Sequence, residues 1–189
     1  MKEMLDNLFS WKRKGNGLSY AALPAVLAVV FLRQYGYAEA VVLLLWELLA
    51  VFGYVAALRD FRDRSVPNGL IHLMLGAWIL VMVPFLFLHT QTALERICSG
   101  AAAFLLCGIL LFMVYLASRK GLGGGDIKLM AASGLYLGLE RVFPALLYGS
   151  LLAAVTGLLL VALKKIGMKD AIPLIPFLYV GILLSMLLR

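Results

Sequence analysis

The sequence predicts an all-α protein: a polytopic bundle of about seven membrane-crossing helices, preceded by an interfacial amphipathic helix. Three observations carry that expectation. Hydrophobic residues make up 63% of the 189 and charged residues only 14%, which is too little polar surface to cover a soluble globule of this size. The mean hydropathy is +0.98. Apolar runs close to the roughly 20 residues needed to cross about 30 Å of hydrocarbon recur along the chain, parted by short charged or glycine-rich links.

The opening stretch "MKEMLDNLFSW" sets Met1, Met4, Leu5, Leu8 and Phe9 at helical spacing ahead of "KRK". It reads as a helix lying in the membrane interface. Residues 1–17 are therefore assigned to an N-terminal interfacial segment and residues 18–189 to one membrane-embedded domain. A secretory signal peptide is the competing reading, since a basic region and an apolar run precede "AEA" at 38–40. Arg33 interrupts that run and a second span begins at once, which favours the interfacial helix.

The expected spans are 18–33, 38–58, 69–89, 94–117, 127–139, 142–163 and 171–188. The fifth is short for a full crossing, so it is tilted, partly interfacial or continuous with the helix after it. Charge supports counting it. With the N-terminus inside, the cytoplasmic segments hold Lys2, Lys12, Arg13, Lys14, Arg59, Arg62, Arg64, Arg119, Lys120, Lys128, Lys164, Lys165 and Lys169. Only Arg33, Arg96, Arg141 and Arg189 fall outside. Removing the fifth span would reverse every later segment and destroy this positive-inside asymmetry.

The formal charge of +7 is accordingly a topology signal and an attraction to anionic lipid, and no basic stripe with interleaved aromatics points to nucleic acid. Cys98 and Cys107 lie nine residues apart on one expected helix, about 13 Å along its axis, beyond disulfide reach. The sequence has no CxxC pair, no HExxH and no phosphate-binding GKS or GKT loop, and its histidines are His72 and His89. Zinc chemistry and nucleotide hydrolysis are disfavoured.

Carboxylates remain. Asp60 closes the second span in "LRDFRDRSVPNGL", and Asp126 opens the fifth in "GGGDIKL". Both fall at the cytoplasmic edge, where neighbouring helices about 8–10 Å apart can bring them together. Facing carboxyls resist double ionisation, share a proton and can hold a water between a base and an acid. Gly121, Gly123, Gly124 and Gly125 leave room for an extended peptide strand beside Asp126, or they simply end one helix and start another with Asp126 near the cap.

These residues resemble a family. "GGGD" at 123–126, continuing as "IKL", is similar to the GxGD signature of the type IV prepilin peptidases and preflagellin peptidases, and "DFRDRSVPN" at 60–68 resembles their first aspartate motif. "IPLIPFLYVG" at 172–181 is similar to their proline-containing last helix. The resemblance implies a membrane aspartyl endopeptidase with Asp60 and Asp126 as the catalytic pair and no metal or organic cofactor. Asp63 is the rival for the first position; the motif's distance to Asn68 favours Asp60.

The implied substrates are prepilin-like proteins, whose short basic leader is removed on the cytoplasmic side of the inner membrane, just before the apolar helix. Gly123, Gly124 and Gly125 would border the substrate strand, and Lys128 or Arg64 would meet its charges. Larger members carry a cytoplasmic insertion with paired CxxC motifs, associated with methylation of the new N-terminus. This sequence lacks such cysteines, which implies cleavage without methylation, and its size resembles the compact enzymes that serve tight-adherence (Flp) pili or competence-like systems.

The signature is also shared by presenilin-like intramembrane proteases, whose first aspartate motif "RDFRDRSVPN" does not match. Two readings from other classes are a proton- or cation-coupled transporter using Glu47, Asp60 and Asp126, and a scaffold that binds pilin helices without cutting them. Glu47 sits within the second span, about 20 Å from Asp60 along the helix, and reads best as an interhelical hydrogen-bonding group.

Overall fold

The computed structural model describes residues 22–35, 39–118, 122–165, 167 and 172–188. The expected interfacial segment at 1–17 lies outside them. Within the described residues the chain is all-helical: α1 (Leu23–Gln34), α2 (Ala40–Asp63), α3 (Asn68–Leu88), α4 (Thr90–Ala117), α5 (Gly124–Leu137), α6 (Leu139–Ala162) and α7 (Ile175–Leu187). Helices α2, α3, α4 and α6 are long and apolar enough to cross a membrane, and α1 and α7 are shorter apolar helices.

Boundary chemistry explains the element ends. Arg64 adopts a left-handed conformation (φ 50°, ψ 38°) and its N–H returns to the Asp60 carbonyl at 2.9 Å, which stops α2. Pro67 is extended and α3 starts at the next residue, as expected where a proline cannot donate. Helix α4 begins at Thr90, four residues before the expected span, because "TQTA" is helical although it is too polar for an apolar run. His89 alone (φ −140°, ψ 65°) parts α3 from α4. Helix α7 begins at Ile175 rather than 171, with Pro176 in its first turn and Ile172 to Leu174 non-helical.

The fifth helix is separate from the sixth. Gly138, at φ 72°, reverses the chain between them, and the Leu139 N–H donates to Ser99 Oγ at 3.0 Å. Its 14 residues span about 20 Å. That length is tolerated because Leu129 to Gly134, Tyr136 and Leu137 are buried among protein neighbours. Trp78 Nε1 donates to the Leu135 carbonyl at 2.9 Å, and the Tyr136 hydroxyl donates to the Met74 carbonyl, both on α3.

Contacts at the two ends show successive helices running in alternate directions. At one end Asn68 meets Lys128 and Asp60 meets Ile175. At the other, Gln34 donates to the Met186 carbonyl, Arg96 pairs with Glu39 at 3.7 Å, and Arg141 donates to the Ser185 carbonyl. A cavity of about 770 Å³ opens at this second end between Glu39, Trp46, Trp78, Arg96 and Arg141, whose guanidinium lies 4.7 Å from the Trp46 ring centre.

The core runs through Leu49, Met74, Leu129, Met130, Ile175 and Ile182, whereas Phe87 and Leu80 are 81% and 74% exposed on the outer surface. Apolar side chains on the outside of apolar helices are what a lipid-facing bundle presents. The closest helix crossing joins α6 to α7. A Cβ at Gly181 would stand 2.3 Å from the Ala145 carbonyl oxygen, and one at Gly149 2.7 Å from Leu178 Cα, the small-residue contact that lets membrane helices approach.

Candidate active site

Asp60 occupies the last turn of α2 and is 6% exposed. Its inward direction has a specific recipient: Oδ2 accepts the Ile175 N–H at 3.1 Å, across 115 residues of chain. Ile175 is the first residue of α7, where backbone N–H groups lack helical partners and favour an anionic acceptor. Asp63, one turn later, is exposed. The Arg64 guanidinium is exposed and lies within electrostatic reach of Asp60.

Asp126 stands in the first turn of α5, half-buried. Its Oδ2 accepts the Gly123 N–H at 3.2 Å, and its own N–H donates to the Gly123 carbonyl at 3.1 Å. The carboxylate therefore closes the helix start, one half of a capping box. It also lies within electrostatic reach of Asp60. Burial first, and then the charge of Asp60, push the Asp126 carboxyl up to about 6, against the pull of the Gly123 N–H. A like charge raises a carboxyl in this way only from nearby.

The two aspartate segments are built against each other. A Cβ on Gly125 would meet Val66 Cβ at 3.1 Å and Cγ2 at 3.2 Å, so the missing side chain lets the α5 start approach the "SVPN" turn. Lys128 Nζ donates to Asn68 Oδ1 at 3.0 Å. Of the other glycines singled out from sequence, Gly124 has nothing within 4 Å of an added Cβ, and a Cβ on Gly123 would stand 3.0 Å from Asp126 Oδ2. Gly121 is outside the described residues.

The structure thus gathers Asp60, Asp126, Gly123 to Gly125, Arg64 and Lys128 at one end of the bundle. Sequence reasoning missed two participants. The Ile175 amide can be found only by noticing that the proline-rich last motif starts a helix, and Asn68 enters the sequence reading by its distance to Asp60 rather than as the partner of Lys128.

Residues 44–158 match the type IV leader peptidase family. The chain belongs to that family. A prepilin leader peptidase/N-methyltransferase of Pseudomonas putida is 28% identical over 161 residues, covering 83% of this chain and 53% of the relative. One from Burkholderia pseudomallei is 31% identical over 138 residues, covering 70% and 44%. One from Legionella pneumophila is 29% identical over 145 residues, covering 76% and 50%. The chain spans about half the length of the curated relatives it matches. No solved structure matches it.

For this type IV leader peptidase family member, the matched segment contains Asp60, Asn68, Asp126 and Lys128, and so holds both aspartate motifs. It ends before α7, the helix that supplies the Ile175 amide.

Proposed function

We propose that this protein is a membrane aspartyl endopeptidase that removes the short basic leader from prepilin-like precursors. The observation that carries the reading is the meeting of Asp60 and Asp126, from two motifs 66 positions apart, close enough for one charge to raise the other's proton affinity.

Asp126 is the member suited to hold the shared proton, and Asp60, fixed by the Ile175 N–H, is suited to act as the base. Asp60 takes a proton from a water between the carboxyls as the water oxygen bonds to the scissile carbonyl carbon. Asp126 gives its proton to the carbonyl oxygen. The resulting diol collapses, the C–N bond breaks, and the leaving amine takes up the proton held by Asp60 while a diol proton returns to Asp126. The open face of Gly124 gives a substrate backbone room beside the pair. Arg64 and Lys128 supply positive charge there.

The aspartate end carries Arg59, Arg62, Arg64, Lys128, Lys164 and Lys165, against Arg33, Arg96 and Arg141 toward the other end. That bias supports a cytoplasmic site in the inner membrane. The relatives' names supply the substrate class, and the tight-adherence (Flp) type of pilin is the finer substrate that the sequence resemblance suggests.

Co-expression with a prepilin from the same genome tests the reading through the size shift of leader removal. Wild type and Asp63→Asn are expected to cut, and Asp60→Asn and Asp126→Asn to leave the precursor intact. Continued processing by both of the latter variants would sink the protease reading.

A further inference from the structure

The cavity at the end of the bundle away from the aspartates follows from the shortness of α5. From Asp126 to Gly138 this helix rises about 18 Å, whereas the hydrocarbon core of a bilayer is about 30 Å thick. With Asp126 at one edge, the chain turns back at Gly138 roughly 10 Å short of the other edge. The cavity of about 770 Å³ occupies this depth, and Leu135, Gly138 and Ser99 line it. Because Ser99 Oγ accepts the Leu139 N–H at 3.0 Å, Ser99 marks the level of the turn on α4.

Its lining suits water rather than hydrocarbon. Glu39, Glu95, Glu140, Arg96 and Arg141 are all lining residues, and charged groups at membrane depth face partners or a wet cavity. Partners do not suffice. Among the described residues the buried Arg96 Nε has no hydrogen-bond partner, and the Glu39 carboxylate stands 3.7 Å from it, too far for a hydrogen bond. Backbone that turns within the bilayer is likewise confined to places that protein covers or that line a water-filled space.

The lining charges do not cancel, since three carboxylates meet two guanidinium groups. Arg96 pairs with Glu39, and Arg141 donates to the Ser185 and Leu188 carbonyls at the end of α7, the negative end of that helix. Glu95 and Glu140 are exposed and leave the lining negative.

We propose that the cavity is an aqueous vestibule, open on the side of the membrane opposite the aspartates, that admits small hydrophilic cations and ends at the Gly138 turn. Below the turn the buried Leu129, Met130 and Met74 separate it from the aspartate end. The vestibule depends on the bundle crossing a membrane and not on the peptidase reading.

Thiol accessibility in the full chain tests this. Cys98, next to Ser99, is exposed but not part of the lining, so it faces lipid at the same depth, and Cys107 is buried and reports unfolding if it reacts. The probes are two membrane-impermeant methanethiosulfonates, one carrying trimethylammonium and one carrying sulfonate, applied to spheroplasts and to inside-out vesicles. In a Cys98→Ala background, the thiols introduced by Ser99→Cys and Leu135→Cys are expected to react with the cationic probe in spheroplasts and to stay protected in inside-out vesicles. Wild-type Cys98 should be protected in both. Relative to a free thiol in solution, the cationic probe should be favoured over the anionic one by about tenfold, and Glu95→Gln/Glu140→Gln should abolish that preference.

Protection of both introduced thiols in both preparations, or equally fast reaction of Cys98, would overturn the vestibule. Equal relative rates for the two probes would overturn its selectivity for cations. Reaction in inside-out vesicles alone would uphold the vestibule and overturn the cytoplasmic placement of the aspartates.

Discussion

Lys128 Nζ donates a 3.0 Å hydrogen bond to Asn68 Oδ1, joining side chains 60 positions apart and tying the α5 start to the α3 start. Each residue lies two to eight positions from one of the two aspartates, so the bond spans both motifs. An exposed bond of this kind contributes about 1 kcal/mol or less. If its role is to hold the segments together, Asn68→Ala and Lys128→Met should slow cleavage alike, by a few-fold. If Lys128 instead meets the substrate, only Lys128→Met should raise KM. Initial rates of leader removal for both variants separate the two.

The glycines before Asp126 have different surroundings, and substitutions should expose that. Gly125→Ala drives a methyl to 3.1 Å from Val66 Cβ, which must push the α5 start away from the 64–68 turn. It should lower both thermal stability and cleavage. Gly124→Ala meets nothing within 4 Å, so stability should be unchanged. If the substrate strand passes there, KM should rise with no change in melting temperature. Equal melting temperatures for wild type and Gly125→Ala would show that the packing against Val66 carries no strain.

The raised Asp126 carboxyl makes stability depend on pH with a definite sign. Its folded value is about 6 against an ordinary 3.8, so the folded state holds this proton more tightly than the unfolded state. The resulting stabilisation is fully present below about pH 4 and is lost as pH rises through about 6. Asp126→Asn carries no charge to bury, and its amide oxygen can still accept the Gly123 N–H. Its melting temperature in detergent, relative to wild type, should therefore climb between pH 4.5 and pH 7.5. A difference that stays constant across that range would mean that Asp126 is not strained when ionised.

Helix number and the placement of Asp60 and Asp126 at one end of the bundle were legible because they rest on hydropathy, spacing and motif order; Asp60 is buried and Asp63 exposed. The helix ends were less so, for particular reasons. "TQTA" at the start of α4 is helical but polar, and the apolar Ile172 to Leu174 is non-helical, so hydropathy misleads in both directions. The short fifth helix is long enough because protein surrounds it, and no local pattern announces that neighbours will bury Leu129 to Gly134. Contacts such as Ile175 with Asp60 and Asn68 with Lys128 depend on how distant helices pack, which a linear motif cannot encode.

Arg64 holds a left-handed conformation, φ 50° and ψ 38°, that costs a residue with a side chain about 1 kcal/mol relative to glycine. Arg64→Gly should accordingly raise the melting temperature while leaving the 2.9 Å turn from the Arg64 N–H to the Asp60 carbonyl in place. Cleavage should fall at the same time if the guanidinium steers substrate charge. A lower melting temperature in Arg64→Gly would show that its side-chain contacts outweigh the backbone strain.

The α6–α7 crossing should be the least forgiving place in the bundle. A Cβ at Gly181 would lie 2.3 Å from the Ala145 oxygen and 2.5 Å from the Gly149 nitrogen. Both are backbone atoms, so no side chain can swing aside and the helices must part. Overpacking of this type costs about 1–3 kcal/mol or more. Because α7 carries Ile175, displacement should also weaken the bond to Asp60, and Gly181→Ala should lose folded yield and cleavage together. Gly76→Ala is the control, with nothing within 4 Å of the added atom, and should behave as wild type. Full yield of Gly181→Ala by size-exclusion chromatography would mean that the two helices can separate without consequence, and that the Ile175 amide is not held by their crossing.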